Sequence, residues 1–173
     1  MNIQKQLKIK NLFHRQQAKQ SIKLNLKSGL GGLLSIAVIA WLSILTDNLL
    51  LMAPFGATCV LLFSVPNSPL SQPVNVIGGH LISTSIGILL LQFLPVEWWS
   101  LGLAVGLSIT MMSALRVTHP PAGADPLVVF FGGFGWEYLI FPVVSGSLLL
   151  TLLAWAFHKL PPNAEYPLKA SKA

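Results

Sequence analysis

Arg116-Val-Thr-His-Pro-Pro-Ala-Gly-Ala-Asp-Pro126 lies between two long apolar segments, and no other stretch limits the fold as much. Pro120 and Pro121 lack an amide proton and fix φ near about −65°, so a regular helix cannot pass through them. Gly123 permits a turn that other residues resist. Asp125 before Pro126 has the form of a helix N-cap with Pro at the first helical position. The helix so started, from Leu127 to near Phe131, meets Gly132, Gly133 and Gly135 within about ten residues, too few to span roughly 30 Å of hydrocarbon. The stretch therefore reads as a break followed by a half-helix. At membrane depth such backbone survives only when buried in protein or lining a wet cavity.

Membrane depth follows from composition. The chain is 53% hydrophobic and 9% charged, where a soluble domain carries about 25% charged residues. The net charge of +6 does not point to nucleic acid, because it is confined to the ends. Lys5, Lys8, Lys10, Arg15, Lys19, Lys23 and Lys27 precede the first apolar segment; Lys159, Lys169 and Lys172 follow the last; Arg116 alone lies between. By the positive-inside rule both termini are expected in the cytoplasm, with an even number of crossings. Residues 1–25 form a basic arm suited to anionic lipid headgroups, residues 26–160 a transmembrane domain, and 161–173 a polar cytoplasmic tail. Cys59 is the single cysteine, which excludes an internal disulfide framework; it reads as a small buried hydrophobe.

Spans are expected over about 26–45, 74–94, 99–115 and 137–158. Between the first two, residues 49–65 are apolar but interrupted by Pro54 and Gly56. Pro54–Phe63 aligns without gaps on Pro121–Phe130, an offset of 67 residues; Pro, Gly, Ala and Phe coincide, and Thr58 faces Asp125, both N-cap types. The fold expected is an all-α polytopic membrane protein of two repeats, with four transmembrane helices and two re-entrant half-helices on the outer side. Six full crossings with inverted repeats are the alternative. Gly102, Gly106, Thr110 and Ser113 line one side of the third span, a face for close contact in a homo-oligomer.

No hydrolase, kinase, nucleotide or metal signature appears, and neither enzyme activity nor a cofactor is expected. A half-helix ending in the membrane leaves unpaired amides and a positive dipole end. Two of them facing each other suit a small anion, with Gly56, Ala57, Thr58, Gly123, Ala124 and Asp125 as its expected lining. His119, just before the Pro pair, and His80, with Thr84, Gly87 and Ser83 on one helical side, are the titratable candidates; an imidazole changes charge near neutral pH. Arg116 either attracts anions at the mouth or pairs with Asp125, Asp47 or Glu137. Asn75, Ser64 and Asn67 read as loop caps or lining.

His119-Pro-Pro-Ala-Gly-Ala124 resembles the signature of the HPP family of small integral membrane proteins. Ala53-Pro-Phe-Gly-Ala57, Ser68-Pro-Leu-Ser-Gln-Pro73 and Asn75-Val-Ile-Gly-Gly-His80 resemble its other blocks, in order. The resemblance covers roughly residues 25–160. It implies a four-helix transporter, and nitrite as substrate, the anion associated with plastid and cyanobacterial members. Many bacterial relatives add a CBS regulatory domain, which this chain is expected to lack. The resulting expectation is transport of a small monovalent anion, with proton coupling through the histidines, in a bacterial inner membrane, cyanobacterial if the nitrite resemblance holds. The rivals are a passive channel for a small neutral solute and a non-transporting scaffold or sensor.

Overall fold

The computed structural model describes residues 14–169 and, within them, is all-helical. The helices are α1 (Ile22–Thr46), α2 (Pro54–Ser64), α3 (Pro73–Leu91), α4 (Trp98–Ala114), α5 (Asp125–Gly132) and α6 (Ser145–His158). Short 3₁₀ turns, Pro69–Ser71 and Pro120–Ala124, precede α3 and α5, and a wide turn, Leu139–Val144, leads into α6 across a kink at Phe141-Pro142. α1, α3 and the combined Leu139–His158 segment are long and apolar enough to cross a membrane. α4, at 17 residues, is about 25 Å long and falls slightly short. Leu26, Leu33, Trp41, Ile44 and Leu45 of α1 are exposed, a band that water would not tolerate and lipid does.

Local chemistry sets the ends. Ser21 accepts the Leu24 amide, so α1 starts before the expected span, and residues 22–25 belong to the helix rather than to the arm. The part of the arm at 1–13, with Lys5, Lys8 and Lys10, lies outside the described residues. Glu97 and Ser100 form a capping box at the head of α4. Gly133, at φ 63°, ends α5 in a conformation that glycine adopts freely. The described part of the expected polar tail, residues 161–169, instead folds back on the bundle. Lys27 Nζ donates to the carbonyls of Leu160 and Pro162, each at 2.6 Å, and Tyr166 is buried.

The path of the broken segments differs from the re-entrant expectation. Residues 48–50 meet the last turns of α1, where Ser43 Oγ donates to the Asn48 carbonyl and accepts the Leu50 amide. The end of α2 meets the first turns of α1, where Ser28 Oγ donates to the Phe63 carbonyl at 2.7 Å. Residues 47–64 thus run the length of α1 and do not return to the end they left. The second break does the same in reverse. Thr118 lies beside Asn75 near the start of α3, while Pro126 and Val129 pack on Gly87 toward its other end. The physical reason is rise per residue. Backbone outside a helix gains up to about 3.3 Å per residue against 1.5 Å for helix, so the four non-helical residues 49–52 add about 13 Å to the roughly 16 Å of the eleven-residue α2, about 30 Å together.

The two halves make the same close contact in opposite directions. A Cβ on Gly79 would lie 3.2 Å from the Val117 carbonyl oxygen, and one on Gly146 would lie 2.5 Å from that of Leu50. Both the glycines and the carbonyls are 67 residues apart, the offset of the sequence match. A core of Phe55, Leu62, Val76, Ile88, Val129, Val143 and Leu150 surrounds the junction of the half-helices.

Candidate functional site

Where the two half-helices meet, four elements bring polar side chains into an otherwise apolar core. Thr58 comes from the second turn of α2; His80, Ser83 and Thr84 come from one side of α3; His119 precedes the second 3₁₀ turn, and Asp125 opens α5. All six are fully buried, each at 0% exposure. Their hydrogen bonds form a row. His119 Nδ1 lies 2.8 Å from the Leu70 carbonyl, and its Nε2 3.0 Å from Thr58 Oγ1. Thr58 Oγ1 lies 2.9 Å from His80 Nε2, and His80 Nδ1 2.8 Å from Asp125 Oδ2. Thr84 donates to the same carboxylate oxygen at 3.2 Å. The other oxygen, Oδ1, is buried with no protein partner.

Neighbouring bonds hold the row in register. Asn75 Nδ2 donates to the Thr118 carbonyl at 2.9 Å, and Ser83 Oγ to that of Ala122 at 2.6 Å, which fixes the backbone on both sides of His119. Phe55 meets the His80 ring edge-on at 5.3 Å between centroids, and the two imidazoles lie 5.0 Å apart. Each nitrogen of both rings already has a protein partner, so a metal ion would have to break one of these bonds.

Several sequence expectations change. Neither Asp125 nor Thr58 caps a helix. The Asp125 side chain goes to His80 and Thr84, and Thr58 lies within α2 with its hydroxyl 3.3 Å from the Pro54 carbonyl. Nor are the first amides of the half-helices free. Phe55 and Gly56 at the head of α2 donate to the carbonyls of Met52 and Ala53, and Asp125 at the head of α5 to that of Ala122. The turns leading into each half-helix supply these acceptors, so these amides are not available to an anion. Gly56, Ala57 and Ala124 face outward and Gly123 is half-buried, so these four stand behind the row rather than in it. Ala53, Ala57, Val60, Pro120 and Ala124 instead line a shallow apolar groove of about 610 Å³ between the half-helices. Arg116 is exposed at the end of α4, and Asp125, one of its expected partners, is engaged by His80.

A second cavity, of about 490 Å³, opens between the start of α1, the end of α2 and the end of α6, lined in part by Lys27, Ser64, Asn67 and His158. Ser64 and Asn67 belong there and not with the row. His158, whose Nε2 lies 2.8 Å from the Leu62 carbonyl, was not singled out by sequence. The Leu70 carbonyl was also missed, because no residue type marks a backbone acceptor.

The HPP transmembrane-region family matches residues 17–167. Two transmembrane proteins of Dictyostelium discoideum are similar to the chain. One is 33% identical over 146 residues, covering 79% of this chain and 51% of its own length. The other is 31% identical over 145 residues, covering 79% and 47%. The chain spans about half the length of these curated relatives. No solved structure matches.

Proposed function

The chain belongs to the HPP transmembrane family, and from that premise we propose that it is a proton-coupled transporter of a small monovalent anion, nitrite by family resemblance. One observation carries the reading: two histidines and an aspartate, fully buried in a membrane bundle, are joined through one threonine hydroxyl. Burying ionisable groups in a bilayer is costly, and such groups mark ion pathways and proton relays. A purely structural interior would be stabler with apolar residues of the same volume. The row carries no Lys or Arg, so positive charge for an anion arises there only when an imidazole binds a proton. This links anion entry to protonation and supports transport as the use of the site.

In this reading the bundle makes six passes, with the two discontinuous ones inverted about the row, the arrangement that secondary transporters use for alternating access. Both termini lie in the cytoplasm of a bacterial cell, the basic arm rests on anionic lipid, and the membrane is the inner one. Gly102 and Gly106 of α4, whose faces are open, supply the contact for a homo-oligomer.

The test is nitrite flux into proteoliposomes holding the full chain. Uptake above that of empty vesicles, driven uphill by an inward proton gradient, is expected. Flux no greater than in empty vesicles, with or without the gradient, overturns the proposal.

A further inference from the structure

The row has a fixed proton inventory, and counting it constrains how the site is driven. Four links need one hydrogen each: Leu70 carbonyl to His119 Nδ1, His119 Nε2 to Thr58, Thr58 to His80 Nε2, and His80 Nδ1 to Asp125. Two neutral imidazoles, one hydroxyl and one protonated carboxyl hold four such hydrogens, so the fully bonded row has zero net charge. That sum is unchanged when the carboxyl proton moves to His80, or onward through Thr58 to His119. With one proton fewer, three hydrogens serve four links, and one buried bond is lost, which is costly.

With one proton more, the row still closes, because Thr58 Oγ1 has a third neighbour. The Pro54 carbonyl lies 3.3 Å from it. If the hydroxyl hydrogen turns to that carbonyl and the carboxyl proton passes to His80 Nδ1, the oxygen accepts Nε2–H from both imidazoles at once, Asp125 is ionised, and the row carries one positive charge. The added proton comes from water at one face, forms the N–H at His119 Nε2, and leaves to water at the other; within the row the carboxyl O–H is exchanged for the N–H at His80 Nδ1. Neutral and singly positive forms are thus both fully hydrogen-bonded, and the singly negative form is not.

We propose that Thr58 is a switch that lets the site load one proton per cycle, so that each monovalent anion crosses with one proton and no net charge. The proposal rests on the anion-transport reading for its substrate. Thr58 is a positioning residue, acting through the two imidazoles. The groups around it are consistent with a count of one. Among the described residues the two ion pairs are His80–Asp125 and Lys169–Glu165, so no Lys or Arg pairs with the row. Cys59 packs toward Gly32 of α1, away from the histidines. Tyr138, at the start of the last span, is a further titratable group near Asp125, and a phenol is neutral at physiological pH without any shift.

Proteoliposomes holding the parent, Thr58→Ser or Thr58→Val are given an acid exterior, and potassium with valinomycin sets the membrane potential. In the parent and Thr58→Ser, nitrite accumulation should rise about tenfold per unit of pH difference, the ratio for one proton per anion, and imposed potential should not change it. Thr58→Val keeps the volume but strands both Nε2 atoms, and should show only downhill flux. As a readout apart from transport, ¹⁵N-histidine spectra of the detergent-solubilised chain should show His80 and His119 changing together in one step. In Thr58→Val they should titrate independently. Full accumulation by Thr58→Val, dependence on potential in the parent, or separate titration in the parent would each overturn the switch. A parent that titrates in one step but moves no nitrite would instead overturn the transport reading and leave the switch standing. Should Thr58→Val fail to fold, the parent and Thr58→Ser arms still decide.

Discussion

Replacing Gly87 by alanine tests whether the packing of α5 on α3 holds Asp125 against His80. A Cβ there would lie 2.9 Å from Pro126 Cα and 3.3 Å from Val129 Cβ. The first of these is backbone and cannot swing away, so α5 must retreat by a few tenths of an ångström. Such overpacking costs about 1–3 kcal/mol, while removing a helical glycine gains about 1 kcal/mol. Gly29→Ala in α1 is the control, because nothing lies within 4 Å of its Cβ and only the propensity gain applies. The shared gain cancels, leaving Gly87→Ala about 1–3 kcal/mol below Gly29→Ala, or roughly 2–12 °C in midpoint for a chain of this size. Thermal unfolding in detergent measures the difference. Because Asp125 directly precedes Pro126, pH-driven nitrite uptake should fall in Gly87→Ala at temperatures where it remains folded. Equal midpoints for the two variants would show that α5 yields freely, and would refute the argument that this contact fixes the site.

Two further outcomes follow from the same geometry. Asp125→Leu leaves His80 Nδ1 and Thr84 Oγ1 without a buried partner, a loss of about 2–6 kcal/mol at about 1–3 per group. Asp125→Asn keeps an acceptor and should lose about 1 kcal/mol; chemical denaturation of both variants checks the order. In a Cys59→Ser background, single cysteines replacing Asn67 and Glu137 should react with impermeant thiol reagents from opposite sides of the membrane, Asn67→Cys from the cytoplasm and Glu137→Cys from outside. Labelling of both from one side would restore the re-entrant arrangement.

The relation between sequence and site is clearest at Thr58 and Asp125. Their alignment at an offset of 67 residues was visible, and both were read as helix caps because Thr and Asp serve that role locally. In the fold the preceding turns occupy the first amides, which frees both side chains for partners far along the chain. His80 is 22 residues from Thr58, and Asp125 is 45 from His80. No helical period or capping rule reaches that far. One of the three partners expected for Arg116 falls away for the same reason: a lone cation near an aspartate suggests a pair until a histidine on another helix takes the carboxylate.

The sequence by itself determined the membrane class, the two proline breaks, the helical side holding His80 and Thr84, and the internal match. Each is a consequence of composition or of backbone chemistry within a few residues. Only the tertiary structure decided that the breaks run end to end, since the length gained by extended residues depends on what packs beside them. It alone also joined His119 to His80 through Thr58 and ended the row on the Leu70 carbonyl. A buried polar group is obliged to find a partner, but which partner it finds depends on how the helices pack, and the chain order does not encode that locally.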